Sequence, residues 1–242
     1  MGRIRRMFKW GISEERVSAS VLTRLQSVAG LKAGRCDAKE SRPVQPVPEA
    51  DIAAVKPHVT TPIWGIITLQ LLAGMRPGEV LAMRGADIDT RGPIWEYVPQ
   101  SHKTEHHGKR RVVFLGPRAQ LALRLFLKAD PDRYLFSPQE GRAEFVGNQY
   151  RDGAAAERGG KRRPKDSYSV HTYYGAIRRA CKRAGVEHWH PHQLRHNAAT
   201  VWRREFGIEA TRTALGHASA VTTEIYAEMD RGKARDIIAR VG

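Results

Sequence analysis

His192 and Arg195 stand three residues apart in the stretch HPHQLRHNAATVWRREFG, residues 190–207. Pro191 suits a first helical turn, where its missing N–H costs nothing. Leu194, Ala198, Val201 and Trp202 then recur at helical spacing and make one face apolar. Gly207 supplies a stop. Three-residue spacing places His192 and Arg195 on one face near the helix N-terminus. That end already carries free N–H groups and partial positive charge, and an arginine fork beside an imidazole would complete a phosphate site. Taken alone, the pair equally suits a surface salt bridge and a capping histidine.

Further reactive residues are spread along the chain. Arg76 lies in GMRPGEVLAMRGADID, residues 74–89. Pro77 fits a helix start whose first turn holds Glu79, a favourable place for a carboxylate, which leaves Arg76 at the mouth of a tight turn. Lys103 sits on QSHKTEHHGKR, a polar, glycine-containing hairpin tip. His217 follows Gly216 directly, and Tyr226 lies near the end of a short helix that Ser219 can cap. His188, His190 and His192 alternate, and His102, His106 and His107 cluster on the hairpin. Alternating histidines can bind zinc, but no compact cysteine or carboxylate set stands at metal spacing, so no metal is expected.

The elements that must position these residues are mostly helical. Glu49–Val59, Thr61–Ala73, Pro117–Lys128 and Tyr173–Ala184 read as helices, Glu209–Leu215 as a short one, and Lys233–Val241 as a terminal one. IWEYV (94–98) and RVVFL (111–115) are β-type runs flanking the polar tip. The fold expected is therefore mainly α with a small antiparallel β-sheet. Residues 152–166, DGAAAERGGKRRPKD, lack any apolar period and read as a flexible basic insertion.

Charge narrows the partner. A net charge of +16 over 242 residues draws the chain to polyanions, nucleic acid first. The longest apolar run, Ile63–Met75, is interrupted by Thr68 and Gln70 and is too short to span a bilayer, so no membrane partner is expected. Two distant cysteines, Cys36 and Cys181, form no motif and fit a reducing cytoplasm.

Arg76 with Glu79, Lys103, His192 with Arg195, and His217 to Tyr226 stand in this order, with 22 residues from Arg195 to His217 and nine from His217 to Tyr226. In that order and spacing the chain resembles the tyrosine recombinases of the phage integrase family, over residues 49–242. The resemblance implies the integrase-like catalytic core of DNA breaking-rejoining enzymes, cutting and rejoining DNA through a 3′-phosphotyrosyl intermediate. It implies that Arg76 and Arg195 clamp the scissile phosphate, that His217 adds a hydrogen bond to it, and that Tyr226 is the nucleophile. A phenol has a pKa near 10, so about 0.1% is ionised at neutral pH and a base is needed; His192 is the matched candidate. Lys103 would protonate the leaving 5′-oxygen, and Glu79 would orient the arginine or histidine from behind. His106, His107, Lys109, Arg110 and Arg111 on the hairpin, with Arg178, Arg179 and Lys182 on a basic helix, would line the DNA backbone. No ATP, metal or other cofactor is implied, because the covalent link stores the energy of the broken bond.

The partners implied are double-stranded DNA and three further copies, as a homotetramer on paired sites in the cytoplasm at the nucleoid, with no small-molecule substrate. Residues 1–35 hold eight Lys or Arg against Glu14 and Glu15 and are too few for an independent domain. They resemble the closing part of a helical core-binding domain, a truncated remnant, joined to the catalytic domain by the proline-rich linker 36–48. Two other functions compete: a non-catalytic DNA-binding remnant, and a type IB topoisomerase, which shares the nucleophile chemistry. The short chain and the LGH box favour the integrase side.

Overall fold

The computed structural model describes residues 2–30, 44–100, 111–151 and 165–216. The chain divides into two compact units, Met1–Val44 and Gln45–Gly242. In the first, α1 (Gly2–Ser13) and α2 (Ala19–Ser27) pair as a helical hairpin. Arg5 holds it closed, its Nε donating to the Leu25 carbonyl at 3.1 Å and its Nη2 to the Val28 carbonyl at 2.6 Å. Ser18 caps α2, which is why the helical pattern breaks there.

The second unit is built around α4 (Thr61–Ala73), whose Ile63, Ile66, Ile67, Leu69 and Ala73 are all buried. A helix apolar on every side belongs in a core. Ahead of it runs α3 (Glu49–Val55), followed by a 3₁₀ turn at Lys56–His58, so Pro57 shortens the helix expected to reach Val59. Behind it come α5 (Pro77–Leu81) and the strands β1 (Ile88–Asp89), β2 (Trp95–Tyr97) and β3 (Val113–Leu115). The sheet is antiparallel in the order β1-β2-β3, with Ile88 opposite Tyr97, Tyr97 opposite Val113 and Trp95 opposite Leu115. Next are α6 (Pro117–Arg124), α7 (Pro138–Arg151), α8 (Val170–Ala184) and α9 (Pro191–Leu215). The architecture is mainly helical with one small sheet, as the sequence pattern indicates.

Gly207 divides α9. With φ 83° and ψ 175° its backbone is not helical, so the element is two helices meeting at a kink, with the stop where the sequence places it. Residues at the end of the expected linker are fixed to α9. Val47 exchanges two hydrogen bonds with the Asn197 amide, at 2.9 and 2.6 Å, and Gln193 Nε2 donates to the Gln45 carbonyl at 2.9 Å. The insertion 152–166 (up to residue 164), the helix capped by Ser219 and the terminal helix lie outside the described residues. Among the described residues no helix is long and apolar enough to cross a membrane.

Gly65 lets α4 approach the aromatic pair Phe126–Phe136, whose ring centroids are 4.8 Å apart. A Cβ there would sit 2.5 Å from Phe126 Cζ and 2.9 Å from Phe136 Cε1. Alanine gains about 1 kcal/mol of helix propensity over glycine, against about 1–3 kcal/mol for overpacking a close-packed core. Gly65→Ala should therefore lower the melting temperature, and a variant melting at or above wild type would show that the rings yield freely.

Candidate functional site

The site begins where α4 ends. Gly74 takes φ 60°, a left-handed conformation that glycine adopts without strain, and turns the chain through Met75 to Arg76. A Cβ at Gly74 would also strike Leu215 and Trp202, at 2.7 and 2.9 Å. Arg76 is the N-cap of α5, with Pro77 in its first turn. Glu79 grips Arg76 twice: Oε2 accepts from the Arg76 backbone N–H at 2.9 Å and Oε1 from Nη1 at 2.7 Å. Arg76 keeps a quarter of its side chain exposed, whereas Glu79 is 4% exposed. Burial alone would push the Glu79 carboxyl up. The Arg111 charge, with the Arg76 N–H, charge and guanidinium, outweighs it and holds the carboxyl below its ordinary value.

Behind the turn lies a buried polar network. Gln70 is fully buried, and its Nε2 donates to the carbonyls of Met75 (3.1 Å) and Pro191 (3.3 Å). Its Oε1 accepts from the Tyr173 hydroxyl at 2.9 Å. One side chain thus ties α4 to α8, to the Arg76 turn and to the N-terminus of α9. Tyr97 on β2 donates to the Glu79 carbonyl at 2.8 Å and seats the sheet against α5.

Arg195 is 1% exposed. Its Nη1 donates to the Gly74 carbonyl at 2.6 Å and its Nη2 to the Leu215 carbonyl at 2.8 Å. The fork joins the Arg76 turn to the far end of its own helix, which the kink at Gly207 brings back. His192 is exposed one turn before Arg195, and its ring lies edge-on to His196, centroids 5.6 Å apart. His190 and Gln193 close the helix start, the His190 N–H donating to Gln193 Oε1 at 2.7 Å.

The structure joins Arg76 to Glu79, ties Arg195 to the same turn through the Gly74 carbonyl and keeps His192 on the same helix as Arg195. Lys103, His106, His107, Lys109, Arg110, His217 and Tyr226 lie outside the described residues. Arg178, Arg179 and Lys182 are exposed on α8. Arg111 is a correction: it is 6% exposed and faces Glu79 and α9, not an open surface where DNA could lie. Gln70 and Tyr97 were not anticipated as site residues. The signal for Gln70 was its place as a lone amide inside the apolar run of α4. Among the described residues no group of three or more His, Cys, Asp or Glu is placed to hold a metal ion.

The family model described as the phage integrase family matches residues 52–232, about three quarters of the chain. The chain belongs to that family. Family relatives include the tyrosine recombinase XerC of Methylobacterium sp. (strain 4-46), 30% identical over 222 residues, covering 86% of this chain and 61% of the relative. The XerC of Actinobacillus pleuropneumoniae serotype 7 (strain AP76) is 24% identical over 231 residues, covering 94% of this chain and 65% of the relative. The chain thus spans less than two thirds of the length of either. A lambda integrase dimer bound to a COC′ core site shares the fold, with a TM-score of 0.61 at 14% identity over 94% of this chain and 71% of that one.

His196 gives the site a pH signature. Burial first, then the charges of His192 and Arg195, depress it from 6.5 to about 4. Between those values the unfolded chain binds a proton that the folded chain does not, so acidification across that window favours unfolding. His196→Gln should therefore lose less stability than wild type as pH falls from 6.5 to about 4, measured as urea midpoints. Parallel losses in the two proteins would place the acid sensitivity elsewhere.

Proposed function

We propose that this chain is a tyrosine-type DNA strand transferase, a site-specific recombinase that cuts and rejoins duplex DNA through a 3′-phosphotyrosyl intermediate. The observation that carries the reading is the junction of Arg195 with the Gly74 carbonyl, two residues before Arg76. It ties the Arg195 guanidinium to the turn that carries Arg76, which supports the reading of the two arginines as partners at one phosphate. Family membership supports the chemistry assigned to them.

In the proposed reaction the Tyr226 oxygen attacks the scissile phosphorus and the bond from phosphorus to the 5′-oxygen breaks. His192 takes the phenol proton and Lys103 gives one to the leaving 5′-oxygen. Arg76, Arg195 and His217 counter the charge growing on the non-bridging oxygens. Reversal by a 5′-hydroxyl restores the phosphodiester, with no external energy source. Exposed Arg178, Arg179 and Lys182 on α8 would follow the DNA backbone, joined by His106, His107, Lys109 and Arg110 of the hairpin. The working form would be a homotetramer on paired sites. Residues 49–242 would be the catalytic domain, and residues 1–35 the closing helices of a core-binding domain.

The test is covalent trapping. Duplexes nicked near randomised positions let the cleaved fragment diffuse away, so the intermediate accumulates. Wild type should yield a denaturant-stable protein–DNA adduct without metal or ATP. Tyr226→Phe should yield none while still retaining DNA. An adduct that persists in Tyr226→Phe, or no adduct from wild type, would overturn the assignment and leave a non-catalytic DNA-binding protein.

A further inference from the structure

Arg111 is a nearly buried cation with contacts on two sides. Its Nη1 donates to the Ala214 carbonyl in the last turn of α9 at 3.3 Å, and to the Val112 carbonyl at 3.0 Å. Its Nε lies 3.6 Å from Glu79 Oε1, the same oxygen that accepts from Arg76. The guanidinium also fills the space over Gly216, where a Cβ would stand 2.6 Å from Nη1 and 3.2 Å from Cζ. Gly216, at φ 66°, is where the chain leaves α9, and the next residue is His217.

Stability is a poor reason for this arrangement. Nε and Nη2 make no hydrogen bond among the described residues. A buried, partly satisfied cation costs desolvation that an apolar side chain of similar volume would avoid. What the guanidinium provides, and an apolar chain would not, is simultaneous reach to a carboxylate and to a helix-terminal carbonyl. A lysine head could hold one of them at a time.

We propose that Arg111 is a positioning residue: it fixes the Arg76–Glu79 turn against the end of α9 and so sets where the Arg76 guanidinium stands. The proposal rests on the recombinase reading above. Arg111 acts through Glu79 on one side and through the Ala214–Gly216 backbone on the other, and does not itself meet DNA. Burial and the Arg76 charge pull its own pKa down while Glu79 pulls it up, as expected for a cation held by a shared carboxylate.

The test uses the full chain and the nicked-duplex pool, reading DNA retention and the adduct-forming rate of bound DNA separately. Misplacing reacting groups by about an ångström costs on the order of a hundredfold in rate. Arg111→Met should therefore slow adduct formation by about that factor, with retention changed less than about threefold. In a Glu79→Gln background the same substitution should add little, because the two residues act as one unit. Arg111→Lys should show an intermediate loss, and it carries the test by itself if Arg111→Met does not fold. A purely structural contact would instead lower retention and rate together and add fully to Glu79→Gln. That pattern, or a rate within about threefold of wild type for the folded variants, overturns the positioning role while the wild-type adduct still supports the recombinase. No adduct from wild type overturns both.

Discussion

Arg195 donates to the carbonyl of Gly74 on one side and of Leu215 on the other, and the geometry of the site depends on those two bonds. Both carbonyls belong to helix C-terminal turns, which have no intrahelical donor of their own. Both turns end in a left-handed glycine, Gly74 and Gly216. A cation at a helix C-terminus also meets the favourable end of the macrodipole. One guanidinium therefore satisfies two orphaned carbonyls and two dipoles. In doing so it locks the distance between segments that are more than a hundred residues apart in sequence. Lysine, with a single ammonium, could not span them.

Around that bond the fold places polar groups where an ordinary core would have apolar ones. Gln70 is fully buried with its amide engaged on both sides, and Tyr97 and Tyr173 spend their hydroxyls on Glu79 and Gln70. Each such group would be costly if left unpaired and fixes geometry when paired. The apolar remainder, with α4 at its centre, supplies the driving force. The network decides the register in which α4, α5, α8 and α9 come to rest.

Much of this was legible in the sequence because it was local. Pro77 after Arg76, the stop at Gly207 and the helix start at Pro191 are signals read within a few residues. The Ser169 cap starts α8 at Val170, three residues before the expected Tyr173. The missed features are those that only tertiary contact defines. β1 is two residues long and exists only through its pairing with β2. α7, PQEGRAEFVGNQYR, carries no clear apolar stripe. Arg111 was assigned to the DNA surface because it closes a basic run, GKRR. Yet a strand has period two, and Arg111, Val113 and Leu115 share one face. All three are buried. The alternation marked Arg111 as inward-facing, and composition hid it.

The same carboxylate oxygen, Glu79 Oε1, serves both Arg76 and Arg111, so two positive charges share one negative charge in a poorly solvated place. Burial first, and then the Arg76 charge, pull the Arg111 pKa down against the pull of Glu79. Electrostatic attraction is stronger there than in water, and so is the cost of imbalance. In the reaction proposed above, a phosphodiester beside the exposed quarter of Arg76 would offset that excess charge. Charge on the non-bridging oxygens would grow as the phosphate becomes five-coordinate, so part of that attraction would be realised only at the transition state. Burying two of three arginines and leaving Arg76 partly open therefore does more than shape a pocket. It keeps the field fixed in advance, with only the anion left to supply.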